Sequence, residues 1–185
     1  MGFTHRIATL EDLAALRALM HRAIEQLQDE FLTPEQVAAS HKVMGLDSQL
    51  ITDGTYFVIE DTDEHATAGC GGWSFRKTLY GGDNSVVERA PQVLDPATDA
   101  AKVRAMYTDP AYSRRGVGKL LLGLCEAAAH AAGFRRVELM ATMSGVPLYR
   151  AAGYQPVQEV TSAPIEGVTV PLLLMEKILV PYNPF

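Results

Sequence analysis

The stretch that most constrains the fold lies between residues 102 and 142. An apolar strand over 102–108 stops at the breaker Asp109-Pro110. A basic, glycine-containing turn follows, Tyr112-Ser113-Arg114-Arg115-Gly116-Val117-Gly118-Lys119, and it runs directly into an apolar helix over about 116–132. Leu120, Leu121, Leu124 and Ala128 are the expected buried side of that helix, and a second strand spans 135–142. Two strands joined through one helix lie parallel, under a right-handed crossover, in a sheet that needs helices to cover it. The chain is therefore expected to be a mixed α/β (α+β) protein.

The turn has its own chemistry. A strand, a tight turn and a helix N-terminus leave several backbone N–H groups unpaired around one concavity, and the helix dipole adds about half a positive charge there. Glycine lets an anion approach the backbone, and Arg114, Arg115 and Lys119 add screening charge. The site suits a phosphate, but two common phosphate motifs are excluded. A Walker A loop would need Gly at Ser113 and Ser or Thr at Leu120. A dinucleotide fingerprint would need a third small residue at Leu121. Taken alone, Gly116 and Gly118 could also do no more than shape a turn, with the arginines solvated.

Elsewhere, periodicity predicts a strand over 3–7, a helix after Thr9 with Asp12 as capping-box partner, and a helix over 34–41 opened by Thr33-Pro34. A hairpin over 55–60 and 66–76 follows, then a long loop over 77–100, a short helix over 146–152 and strands over 154–160 and 168–179. With 185 residues and 48% hydrophobic content, one domain spanning 1–185 is expected. The excess of 22 acidic over 16 basic residues, net charge −6, disfavours nucleic acid and anionic lipid as partners.

The N-terminus shows no signal-peptide pattern, and no apolar run approaches the roughly 20 residues of a membrane span. Cys70 and Cys125 stand in unlike contexts. A soluble cytoplasmic protein without disulfides is the expectation. His21, His41, His65 and His130 show no ligand spacing with each other or with a carboxylate, and neither His-x-x-x-His nor Cys-x-x-Cys occurs, so no metal site is expected.

The segment from Met106 to Leu121 resembles the acetyl-CoA motif of the GNAT superfamily of N-acetyltransferases. Leu148-Tyr149-Arg150-Ala151-Ala152-Gly153-Tyr154 resembles the later segment of that family, in which a Tyr lies four residues before a Gly-aromatic pair. Arg6 to Leu13 is similar to the usual family N-terminus. One departure is Ser113, where the family usually has Gln or Arg, with Arg114 next door as the available substitute.

The resemblance implies a GNAT-like acyl-CoA N-acyltransferase fold, a twisted mixed sheet of about seven strands flanked by helices. It implies acetyl transfer from acetyl-CoA, the cosubstrate, to a primary amine of a small molecule or peptide by direct attack. Backbone amides of Arg114, Arg115, Gly116, Val117, Gly118 and Lys119 would hold the pyrophosphate. Main-chain groups of Met106 and Thr108 would meet the pantetheine arm, a backbone N–H near Tyr107 would serve the oxyanion, and Tyr149 would be the general acid. A homodimer is a family habit. The alternative from another class is a non-catalytic acyl-CoA-binding or sensor module.

The remaining residues are read more openly. Thr142 and Ser144 stand where the family often has Asn, and either could meet pantetheine or merely cap a helix. Glu138, inside the apolar Val137-Glu138-Leu139-Met140, is the candidate general base, with a salt-bridged Glu the competing reading. Trp73, Phe75 and Tyr80 could form an aromatic wall for the acceptor, although strand aromatics often simply pack. Alternation along 103–108 places Val103, Ala105 and Tyr107 on one face and Arg104, Met106 and Thr108 on the other.

Overall fold

The computed structural model describes residues 2–179. Seven strands, β1 (Phe3–Ile7), β2 (Tyr56–Asp61), β3 (Thr67–Ser74), β4 (Ala101–Thr108), β5 (Arg136–Thr142), β6 (Gln155–Thr161) and β7 (Pro171–Ile178), form one sheet in the order β1-β2-β3-β4-β5-β7-β6. All neighbours are antiparallel except β4 and β5, which run parallel as the crossover requires. The helices are α1 (Leu13–Leu27), α2 (Pro34–Val43), α3 (Ser48–Thr52), α4 (Val117–Ala131) and α5 (Val146–Ala151).

Both faces of the sheet are covered. On one, α4 buries Val117, Leu121, Leu122, Cys125 and Ala129 against β2, β3 and β4. Leu121 was expected in this stripe, but the buried face is rotated from the one read off the sequence, leaving Leu120, Leu124 and Ala128 only half-buried. The opposite face is closed by α1, which inserts Leu16, Leu19, Met20, Ala23 and Ile24, and by α2 with Val37, Ala39 and Val43. Thr33 caps α2 by accepting a hydrogen bond from the Gln36 N–H at 3.3 Å, with Pro34 at its first position, and the helix continues two residues past the expected end.

Two irregularities open the sheet. Between the pairs Cys70↔Tyr107 and Gly72↔Arg104, β4 carries one residue more than β3, and Ala105 takes φ of 50°. This β-bulge breaks the predicted alternation. Val103 and Met106 both reach the α4 side, whereas Arg104, Ala105 and Tyr107 contribute to the α1 and α2 side. The Tyr56 hydroxyl donates to the displaced Ala105 carbonyl at 2.7 Å.

The second irregularity is a splay. β4 and β5 pair only through Ala101↔Val137 and Lys102↔Glu138, after which β4 pairs with β3 alone and β5 with β7 alone. A wedge opens from Val103 towards Thr108.

Candidate active site

The wedge holds a cavity of about 120 Å³. Its floor is β4 from Val103 to Thr108 together with Leu139, Met140 and Thr142 of β5; Ser144 and Tyr149 close one side. Ala23, Ile24 and Leu27 from α1, its C-cap Gln28 and Met44-Gly45 after α2 form the opposite wall, with Leu79, Tyr80 and Gly81 from the long loop. Of the site residues expected from sequence, Met106, Tyr107, Thr108, Thr142, Ser144, Tyr149 and Tyr80 converge here.

The glycine turn stands at the open end of the wedge. Arg114 and Gly116 take the left-handed conformation, with φ of 64° and 88°, so that the chain reverses into α4. The first intrahelical bond runs from the Leu120 N–H to the Gly116 carbonyl at 3.0 Å, which leaves the N–H groups of Val117, Gly118 and Lys119 as first-turn donors. Nothing lies within 4 Å of where a Cβ on Gly116 would sit, so the concavity is open. A Cβ on Gly118 would come 2.9 Å from Leu148 Cδ2 and 3.8 Å from Thr108 Oγ1, which ties the turn to α5 and to the end of β4.

The position of α4 depends on Gly69. A Cβ there would meet Val117 Cγ1 at 2.5 Å and the Tyr107 carbonyl at 2.9 Å. Only the bare backbone of β3 lets the start of the helix settle this close to the sheet. The Gly-rich strand thus serves the turn from behind.

Tyr149 projects from α5 into the wedge. Its ring meets Tyr154 edge-on at 5.8 Å, so the Tyr and Gly-aromatic pair of the motif pack on one another. Among the described residues the Tyr149 hydroxyl has no hydrogen-bond partner, and burial raises its pKa well above the ordinary phenol value. It remains a proton donor throughout the physiological range. Tyr107 is turned the other way, its hydroxyl accepting the Gly45 N–H at 3.0 Å, and it fixes the wall after α2. Thr142 and Ser144 hydroxyls bond each other at 3.1 Å.

Several expected residues are placed elsewhere. Trp73 and Phe75 do not line the cavity: Trp73 is buried on the α4 side against Phe134 and Phe75, with ring centroids 6.1 and 6.0 Å away. β3 directs Trp73 to the sheet face opposite the acceptor wall, so only Tyr80 remains of the aromatic trio. Glu138 accepts from the Lys102 ammonium at the closed end of the wedge and is not among the lining residues. Arg115 lays its guanidinium over the Tyr112 ring at 4.6 Å and reaches Asp61 Oδ2 at 3.3 Å, while its N–H points to the Tyr112 carbonyl at 3.4 Å. Its side chain therefore braces the turn against β2.

The histidine expectation also changes. His41 Nε2 lies 2.5 Å from Glu25 Oε1, and the His21 and His41 rings are 4.9 Å apart. Spacing along the chain does not show this pairing, because α2 folds back on α1 and brings His41 to a carboxylate 16 residues away.

The wall also contains polar groups that the sequence reading passed over. Arg104 and Asp47 are each 2% exposed and paired at 2.6 Å, and Arg104 Nη2 donates to the Gly81 carbonyl at 2.6 Å. Desolvation pulls the Arg104 pKa down while Asp47 opposes it. Arg89 joins Asp47 at 3.1 Å and Asp83 at 2.7 Å, so the 77–100 segment is clamped over the cavity. Gln28, 4% exposed, leaves its buried Oε1 without a partner. An arginine in the middle of Ala-Lys-Val-Arg-Ala-Met was the available signal for the first of these.

Residues 16–154 match the profile of the acetyltransferase (GNAT) family. The chain belongs to this family. Similar folds occur in a GCN5-related N-acetyltransferase from Rhodopseudomonas palustris, with 21% identity, TM-score 0.69 and 97% of each chain covered. The phosphinothricin acetyltransferase of Sinorhizobium meliloti, solved with acetyl-CoA, shows 19% identity and TM-score 0.64 over 97% of this chain and 89% of that one. The PaiA N-acetyltransferase of Thermoplasma acidophilum, solved with coenzyme A, shows 13% identity and TM-score 0.61 over 96% and 99%. No curated protein matches the chain in sequence. The protein is thus a GNAT acyltransferase with the seven-stranded mixed sheet of that fold, and the acetyl-CoA expected from the motif is the cosubstrate with which relatives were solved. No helix among the described residues is long and apolar enough to cross a membrane.

Proposed function

We propose that this chain, as one acetyltransferase domain, transfers the acetyl group of acetyl-CoA to a primary amine of a small molecule or peptide. The observation that carries the reading is the Tyr149 hydroxyl, which has no partner among the described residues and belongs to a residue lining the cavity between the splayed strands. The fit to a CoA ester is chemical: first-turn N–H donors and the flanking cations Arg114 and Lys119 for phosphates, unpaired β4 edge groups at Met106 and Thr108 for an amide-bearing arm, and the Thr142 and Ser144 hydroxyls beside them.

A thioester supplies an activated acetyl group; the protein's residues supply position and proton control. Burial keeps Tyr149 protonated until it gives its proton to the departing sulfur, and the proton that the nitrogen sheds as the amide forms restores the phenol by way of solvent. Past the Ala105 bulge β4 keeps β3 as its partner on one edge, and a main-chain N–H near Tyr107 on the edge that β5 leaves unpaired would serve the developing oxyanion. The unpaired Gln28 Oε1 accepts an N–H of the acceptor amine. No carboxylate or imidazole of the described residues lines the cavity, so we take the amine to lose its proton to solvent before entering, rather than to Glu138.

The experiment is Tyr149→Phe, which removes one oxygen from a folded site. Turnover against a panel of amines should fall about 10²- to 10⁴-fold, with the calorimetric Kd for acetyl-CoA unchanged. Equal turnover by the variant would remove Tyr149 from the mechanism. Tight acetyl-CoA binding with no turnover of any amine by the unsubstituted protein would favour a binding or sensor module.

A further inference from the structure

A second hollow, of about 130 Å³, lies behind the acceptor wall, and Arg17, His21, Ile24, His41, Met44 and Gly45 are among the residues that line it. It shares Ile24, Met44 and Gly45 with the first cavity. At its rim stand His21 and Glu25, one helical turn apart on α1, and His41 from α2. Residues four apart on a helix face the same way. Each side chain offers one donor atom, and the three atoms all lie within 4.8 Å of one another.

We propose that His21, Glu25 and His41 form a binding site for a divalent transition-metal ion, with Zn²⁺ the best match. Two imidazoles and one carboxylate are a donor set that suits zinc, with bonds of about 2.0–2.2 Å, rather than calcium or magnesium, which take oxygen ligands. Tetrahedral donors at that bond length stand about 3.4 Å apart, so the present spacing needs only side-chain rotation to close on an ion. His41 and Glu25 already touch at 2.5 Å, and the 68° angle between the histidine rings keeps their edges free to converge. Partial exposure, 27% for the His41 side chain and 49% for Glu25, leaves an entry path and a fourth position for water. Arg17 lines the same hollow and opposes a cation, which weakens the expected affinity.

The ion would tie α1 to α2. These helices carry Ile24, Gln28 and, through the end of α2, Met44 and Gly45, which are the wall of the acetyl-transfer cavity. The site is distinct from that cavity and takes no part in the transfer itself.

The test is calorimetric titration of the full, tag-free chain with zinc chloride, without coenzyme, whose thiol binds zinc. The expected result is one Zn²⁺ per chain with a micromolar Kd, weakened at least tenfold in His21→Ala and in His41→Ala, and little heat with magnesium. Thermal unfolding serves as the second readout: saturating zinc should raise the Tm of the unsubstituted protein and leave that of the His21→Ala, His41→Ala double variant unmoved. Both histidines are at the surface, so the variants retain the fold. Absence of binding at millimolar zinc, or binding equal in all three proteins, would overturn the proposal.

Discussion

Replacing Arg104 by Met tests how the cavity wall is held. The guanidinium and Asp47 are each 2% exposed and meet at 2.6 Å, so the substitution leaves a carboxylate in a site emptied of its main counter-charge. Removing one partner of a buried pair costs about 3–5 kcal/mol. Asp47 keeps the Gln49 N–H at 3.0 Å and the half-exposed Arg89 at 3.1 Å, which places the loss near the lower end, about 3 kcal/mol. For a chain of this length 1 kcal/mol moves Tm by about 2–4 °C, so Tm should drop by about 6–12 °C. Urea unfolding followed by circular dichroism measures the free-energy loss, and a thermal scan the shift in Tm. Arg104→Met combined with Asp47→Asn removes both charges and should recover most of the loss. The loop tie to the Gly81 carbonyl goes in either case, so both variants should show a raised acceptor KM. A single-variant loss below about 1 kcal/mol, or a double variant no better than the single, would refute the reasoning.

Gly69→Ala forces a methyl against Val117 and the Tyr107 carbonyl and should cost about 1–3 kcal/mol while weakening acetyl-CoA binding, because the start of α4 is displaced. Gly123→Ala, exposed on the same helix with nothing within 4 Å, should instead gain up to about 1 kcal/mol; equal effects in the two would mean that close packing of α4 is unimportant. Gln28→Leu should raise the acceptor KM about 5- to 100-fold with the acetyl-CoA Kd unchanged, and an unaltered KM removes Gln28 from acceptor binding. Asp12 accepts two hydrogen bonds from Arg6, at 2.7 and 2.8 Å, and its pKa falls from 3.8 to about 2. A depressed carboxyl stabilises the fold above its unfolded value and loses that contribution as pH falls through about 2. The stability difference between Asp12→Asn and the unsubstituted protein should therefore be full at neutral pH and shrink steadily as pH falls from about 4 through about 2, and a difference constant across that window would contradict the assignment.

What the sequence reveals about this chain follows how local each determinant is. The β-α-β unit, the glycine turn ahead of α4 and the short helix bearing Tyr149 depend on neighbours within a few turns of chain, and these were legible. Misread features depend on partners far away. Strand alternation assigned faces to 103–108, but the inserted residue at Ala105 exists only in register with β3, and after it every side chain changes side. Trp73 and Phe75 share a face as period two requires, yet which face is set by the packing of α4.

Glu138 shows the same limit in its chemistry. A carboxylate in an apolar strand reads as a proton acceptor until its cross-strand neighbour is known, and that neighbour, Lys102, is fixed by the only two parallel pairs that β4 and β5 make. The pairs that fix Glu138 in an ion pair also close one end of the wedge. The opening begins immediately beyond them, so the residues that stop the sheet from splaying further are the ones unable to serve the reaction inside it. The acceptor amine then enters on the side bounded by Gln28, Met44 and Tyr80, where the described wall offers hydrogen-bond acceptors and no base, in keeping with loss of its proton to solvent beforehand.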